Sequence, residues 1–167
     1  AFSRLAPDLD RHCARLIESG KAFQMKSPLT LDEMVTIAWD GIEKFPHDAE
    51  LYIRPMMYFE EGFVTPDTDT TQFILTVFDA PLPAWAGLRT MISSYRRPTP
   101  DSAPTNAKAS CLYPNVARAL SEARTKGYDT AVVLDTLGNV AEFATNNLFI
   151  VKDGIVQTPI PNGTFLS

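Results

Sequence analysis

Lys108 is the lysine of this chain whose neighbours do not suit a surface charge. It stands in Thr105-Asn106-Ala107-Lys108-Ala109-Ser110, with Cys111, Leu112 and Tyr113 following. Small side chains on both sides let another molecule approach the amine closely. A desolvated lysine can lose its proton and attack a carbonyl. The five other lysines have simpler settings. Lys21 and Lys44 lie on amphipathic helix patterns, Lys26 opens a Ser-Pro loop, Lys126 precedes Gly127 at a helix end, and Lys152 sits in a Lys-Asp-Gly turn. On local context alone, Lys108 is either a nucleophile or a solvated charge.

Three further residues invite a chemical reading. Arg54 falls in Leu51–Phe59, where Tyr52, Arg54, Met56 and Tyr58 share one face and Leu51, Ile53, Met57 and Phe59 the other. Both faces are largely apolar, so Arg54 is expected to be partly buried and to need an anion. That anion is either a bound carboxylate, which a guanidinium fork suits, or an internal Asp or Glu. Glu142 lies among Val140, Ala141, Phe143 and Ala144. Periodicity puts it toward water, and the alternative is a carboxylate held for a cation. Arg15 lies off the apolar stripe of its helix and reads alone as a solvated arginine.

The composition limits the function classes. The 167 residues are 45% hydrophobic and 21% charged, as in an ordinary globular chain, with a net charge of −5. No basic patch or run of like charges points to nucleic acid or an anionic membrane. Cys13 and Cys111 give no disulfide framework, and with His12 and His47 they lack metal-ligand spacing. No apolar run approaches membrane-spanning length and no signal peptide is visible, so the expectation is a cytoplasmic enzyme or binding domain. Asn162-Gly163-Thr164 matches a glycosylation sequon and reads as a turn. The chain starts at Ala1-Phe2 and stops at Leu166-Ser167 just after a Pro-Asn-Gly turn, so it reads as an interior fragment of a longer protein.

The elements that must position these residues alternate in type. A helix is predicted over 7–25, with Leu9, Cys13, Leu16, Ile17, Gly20 and Phe23 as its buried stripe and Pro7 in its first turn. A second starts near Thr30, where Thr30 and Glu33 form a capping-box pattern. Strands follow at 51–59, where Pro55 marks an edge or bulge, at 72–78 and at 88–95. Asp79 to Ala84 is the best linker candidate. A helix over 114–126 is expected to turn Val116, Ala117, Leu120 and Ala123 inward and to end at Gly127. Short strands then occupy 130–134, 139–145 and 148–151 continuing to 155–158, separated by Gly138 and Asp153-Gly154 turns.

Together the separated motifs resemble a known family. Glu142-Phe143-Ala144-Thr145-Asn146-Asn147-Leu148-Phe149, then Val156-Gln157-Thr158, then Leu166, is similar to the signature of the class IV (fold type IV) pyridoxal-phosphate aminotransferases. In that family a Gly-Ile-Thr-Arg-like segment comes next. Thr105 to Ser110 followed by Tyr113 resembles its cofactor-lysine segment. Tyr52-Ile53-Arg54-Pro55 and Ala14-Arg15-Leu16 fall at the matching order and separation. The resemblance covers essentially the whole chain and is closest to the branched-chain amino-acid aminotransferases. Phe143 to Asn146 departs from the Gly-rich spacer common in the family, so Phe143 could reshape the substrate pocket.

The resemblance implies an α+β fold, with a small α/β domain over 1–80, a linker at 81–87, and the first part of a larger, strand-rich, barrel-like domain over 88–167. The cofactor, pyridoxal 5'-phosphate, would lie between the domains. Lys108 would hold it as an internal aldimine and shuttle the proton, and Glu142 would face its pyridine nitrogen. Tyr113 would bond its phenolic oxygen and Arg15 its phosphate, while Tyr52 and Arg54 would bind the substrate carboxylate. The implied reaction is transamination of branched-chain amino acids with 2-oxoglutarate in a homodimer or higher homo-oligomer. Its alternatives are a D-amino-acid or (R)-amine transaminase, an aminodeoxychorismate lyase, and a non-catalytic scaffold domain. Joint retention of Lys108, Tyr113 and Glu142 speaks against the last.

Overall fold

The computed structural model describes residues 4–82, 84 and 86–166, and the chain divides into two compact units between residues 84 and 85. Pro83 and Trp85 of the expected linker, and Ala1, Phe2 and Ser167 at the chain ends, lie outside the described residues.

The first unit packs two helices on a two-stranded sheet. Helix α1 (Leu9–Lys21) is shorter than the expected 7–25. Asp8 takes a left-handed conformation at its N-cap, which starts the helix after Pro7, and Phe23 falls beyond its end. Helix α2 (Leu31–Ile42) begins with the expected capping box. The Thr30 hydroxyl accepts from the Glu33 amide at 3.3 Å, and the Glu33 carboxylate accepts from the Thr30 amide at 2.7 Å. At and just past its other end, Arg4 donates to the carbonyls of Ile42 and Phe45.

Strands β1 (Leu51–Phe59) and β2 (Thr71–Asp79) run antiparallel, with Tyr52 opposite Phe78 and Arg54 opposite Thr76. The helices and sheet enclose Leu9, Cys13, Met34, Ala38 and Ile42, against which Leu51, Ile53, Met57, Phe73 and Leu75 pack. Cys13, Met34 and Ala38 are fully buried. Only the odd-numbered face of β1 therefore meets this core. Arg54 lies on the other face and is exposed, which corrects the expectation of partial burial. Alternation assigned its side correctly, but no second layer of this unit covers that side.

The second unit is built on a three-stranded sheet of order β3-β4-β5. Strand β3 (Thr90–Arg96) runs parallel to β4 (Thr130–Leu134), with helix α3 (Tyr113–Thr125) in the crossover that parallel pairing requires. Strand β5 (Val140–Phe143) then pairs antiparallel with β4. Ala119 of α3 meets Val133 and Ala144, flanked by Tyr95, Val116 and Leu120, and Ala123 is fully buried on the same helix. Ala119 takes the inward place expected of Ala117, which is exposed, because the buried stripe runs through 116, 119, 120 and 123. Small alanines let the helix lie close to the sheet. A separate hairpin joins β6 (Ile150–Lys152) to β7 (Ile155–Gln157). Its turn needs positive φ at both central residues, supplied by Asp153 at 52° and Gly154 at 76°.

Candidate active site

Lys108 sits on the irregular segment between β3 and α3. Thr105 and Ala107, two residues apart, are each 1% exposed, and the chain is tied by Thr105 N donating to Ala103 O at 2.8 Å and Ala107 N to Pro104 O at 3.1 Å. The Thr105 hydroxyl also donates to the Gly163 carbonyl. Anchored on this side, the segment presents the Lys108 side chain outward, where it is exposed. A short 3-10 turn (Ser110–Leu112) leads into α3, whose first residue is Tyr113, a phenol about half exposed, with Pro114 in the first turn.

Glu142 pairs with Val133 in the β4–β5 register. It does not stand in water, as periodicity alone had it. Its side chain is 14% exposed, and its Oε1 lies 3.1 Å from Nη1 of Arg97, itself 8% exposed at the side chain. Burial pushes the Glu142 carboxyl above its ordinary pKa, while the nearby cations Arg97 and Lys108 pull it down. Lys108 and Glu142, 34 positions apart in the sequence, thus belong to a single unit, with Lys108 the weaker of the two cations that bear on the Glu142 carboxyl. The turn after Glu142 bonds to itself, with the Phe143 amide donating to Asn146 O at 2.9 Å and the Thr145 hydroxyl to Asn146 Oδ1 at 2.8 Å.

Arg97 is the residue that sequence reasoning missed. The available signal was the Arg96-Arg97 pair at a strand end, since successive side chains point to opposite faces and one of the two must turn inward. Its Nε donates to the Thr164 carbonyl at 3.0 Å, and its backbone amide to Leu134 O at 2.9 Å.

The remaining expected residues belong to the first unit. Arg15 is exposed on α1, and its guanidinium lies 3.1 Å from His12 Nδ1. Tyr52 and Arg54 stand on the open face of β1, where the Tyr52 ring stacks on Phe78 with centroids 5.3 Å apart. An open groove between α2 and β2, bordered by Ile37, Gly41, Phe45, Phe73 and Val77, contains none of these residues. Among the described residues no group of His, Cys, Asp and Glu converges to hold a metal ion, and no helix is long and apolar enough to cross a membrane.

The profile of the amino-transferase class IV family matches residues 4–167. The chain belongs to the class IV aminotransferases. It is 34% identical over 155 residues to a probable branched-chain-amino-acid aminotransferase of Aquifex aeolicus, covering 90% of this chain and 50% of that protein. The crystal structure of an aminotransferase from Brucella abortus bound to the cofactor PLP superposes with a TM-score of 0.95 at 45% identity, over 99% of this chain and 60% of that one. The branched-chain aminotransferase of Escherichia coli superposes with a TM-score of 0.85 at 33% identity, over 95% of this chain and 53% of that one. The mixed helix and strand content is that of the class IV aminotransferase fold. The chain spans about half the length of the relatives it matches.

Proposed function

We propose that the protein containing this chain is a pyridoxal 5'-phosphate-dependent transaminase that moves the amino group of branched-chain amino acids to 2-oxoglutarate. The observation that carries this reading is the class IV match over residues 4–167, in a chain whose second unit holds an exposed lysine on a tied segment and a largely buried carboxylate paired with Arg97. The groups fit the cofactor. An exposed amine flanked by small side chains suits an aldehyde carbon. A carboxylate withdrawn from water and braced by Arg97 suits a protonated ring nitrogen.

When bound, the cofactor supplies the electron sink for the pair left on the substrate α-carbon. The residues do the rest. Lys108 Nζ is the attachment point and, once released by substrate, takes the proton from the α-carbon and returns it at the other end of the transfer. Glu142 holds the ring nitrogen protonated, and Tyr113 bonds the phenolic oxygen. Arg15 binds the phosphate, and Tyr52 and Arg54 bind the substrate carboxylate. In this reading residues 1–80 are the small domain, 81–87 the linker and 88–167 the start of the larger cofactor-binding domain. A cytoplasmic homodimer or higher homo-oligomer completes it by family resemblance.

The test is covalent. Borohydride reduction makes the carbon–nitrogen link permanent, and peptide mapping should find the pyridoxyl label on Lys108. Label on Lys126 or Lys152 instead overturns the assignment. Leucine and 2-oxoglutarate should yield glutamate. Turnover of D-amino acids or of (R)-amines in their place moves the reading to another branch of the family.

A further inference from the structure

The second unit contains a buried carboxylate that the proposed reaction does not use. Asp135 follows β4 and is 2% exposed. Its Oδ1 accepts from the Leu137 amide at 2.9 Å and the Asn139 amide at 2.8 Å. Its Oδ2 accepts from Asn139 Nδ2 at 3.0 Å and, 27 positions along the chain, from Asn162 Nδ2 at 2.8 Å. Asn162 faces the other way with its oxygen. Oδ1 accepts from the Thr164 amide at 3.1 Å and the Thr164 hydroxyl at 2.7 Å. The Thr164 carbonyl in turn accepts from Arg97 Nε, and Arg97 holds Glu142. Between Asn162 and Thr164, the Gly163 carbonyl accepts from Thr105, three residues before Lys108.

We propose that Asp135 and Asn162 are positioning residues, which fix the 162–164 turn so that it sets the Glu142 carboxylate through Arg97 and the Lys108 segment through Thr105. The arrangement is directional. An asparagine amide presents one donor end and one acceptor end, so Asn162 can serve Thr164 only while its nitrogen points at Asp135. Asp135 accepts four bonds, which an ionised carboxylate can do and a carboxamide cannot. Asn139 foremost, with the surrounding backbone amides, holds the Asp135 carboxyl below its ordinary pKa, in keeping with that role. Gly163 has φ of +82°, and a Cβ there would sit 3.1 Å from Pro100 Cγ, so the turn in this shape favours glycine at that position.

This inference rests on the proposed function for its catalytic consequence, and the experiment separates the two. Asp135→Asn keeps the acceptor for the backbone amides of Leu137 and Asn139 but turns a donor on Asn162 Nδ2 and on Asn139 Nδ2. In the full-length apoprotein, hydrogen exchange of the Thr164 amide should then be faster by about tenfold, the scale of one lost hydrogen bond of about 1.4 kcal/mol. Unchanged exchange overturns the relay whatever the cofactor chemistry. In the loaded enzyme the same variant should lower kcat by about tenfold with KM little changed, as losses in outer-shell support do. The same change in a Glu142→Gln background should add almost nothing, because residues in one chain of contacts are not additive. Equal losses in both backgrounds mean that Asp135 only stabilises the fold, and overturn the positioning role. Asp135→Asn combined with Asn162→Asp restores a donor–acceptor match, so slow exchange should return. Failure of that rescue also counts against the relay. A parent enzyme that binds no cofactor overturns the proposed function and leaves the exchange arm to judge the relay.

Discussion

In the first unit Arg15, Tyr52 and Arg54 stand out from an apolar core of Leu9, Cys13, Met34, Ala38 and Ile42. In the second, Glu142 and Arg97 are withdrawn from water, and the unit also buries Thr105, Asp135, Thr164 and Ser93, each of them hydrogen-bonded. The first unit is held by area removed from water, which is non-directional and tolerates small shifts. The second adds to its small apolar core a set of buried hydrogen bonds, which fix position as well as compactness. The difference bears on the roles proposed for the second unit. A carboxylate that must meet one ring nitrogen, and an amine that must reach one carbon, need fixed places.

If the contrast holds, the largest loss of stability comes from opening the apolar core. Met34 is fully buried where α2 meets α1 and the sheet. Met34→Ala should destabilise by about 2–5 kcal/mol, the range for such truncations in a packed interior. Urea unfolding checks it, with the midpoint falling and the slope unchanged. A loss below about 1 kcal/mol means that the first unit is loosely packed.

The polar unit should instead reveal itself through pH, and its two glutamates should run in opposite directions. Glu122 accepts from Lys126 Nζ at 2.8 Å, Ser93 Oγ at 2.7 Å and the Ser94 amide at 2.9 Å, clipping α3 to β3. Lys126 foremost, then Ser93 and Ser94, hold its carboxyl down from 4.5 to about 2. Its folded pKa is depressed, so its contribution is present above 4.5 and is lost as pH falls through about 2. Glu142 is raised, by burial before anything else. Its contribution is full below its ordinary value of 4.5 and fades as pH rises through its folded value. Glu122→Gln should flatten the acid side of a stability–pH curve and Glu142→Gln the side above 4.5. Urea midpoints measured across pH decide it, and the same slope in both variants refutes the assignment.

What was legible in the sequence follows the range of the interaction that carries it. Alternation gives β1 its full span, Leu51–Phe59, and places the strand 130–134 at β4, because each strand's period is local. The capping box reads from four consecutive residues. Lys108 and Glu142 are legible as motif residues, and family membership follows from several motifs in order. Arg97 is not legible, because its reason is Glu142, 45 positions away, and the Thr164 carbonyl, 67 positions away. Asp135 is not legible for the same cause, since its bond to Asn162 crosses 27 positions. The exposure of Arg54 could not be read either. Periodicity assigns a face, but only the number of packed layers decides whether that face is covered.

The smallest expected effect tests whether the first unit has any directional element that matters. The capping box of α2 is exposed, and its bonds run among Thr30 and Glu33 alone. The Thr30 amide foremost, then its hydroxyl, holds the Glu33 carboxyl below its ordinary pKa. Thr30→Ala removes the hydroxyl that accepts from the Glu33 amide and donates to its carboxylate, leaving the Thr30 amide bond in place. The expected cost is about 1 kcal/mol, the usual value of an N-cap side chain. Thr30→Ser keeps the hydroxyl and should cost almost nothing, which separates the cap from loss of the methyl group. Because α2 carries Met34, Ala38 and Ile42 into the core, fraying its first turn should be felt in the urea midpoint of the first unit. A Thr30→Ala midpoint equal to the parent's means that apolar packing alone sets the start of α2, and the first unit is then non-directional throughout.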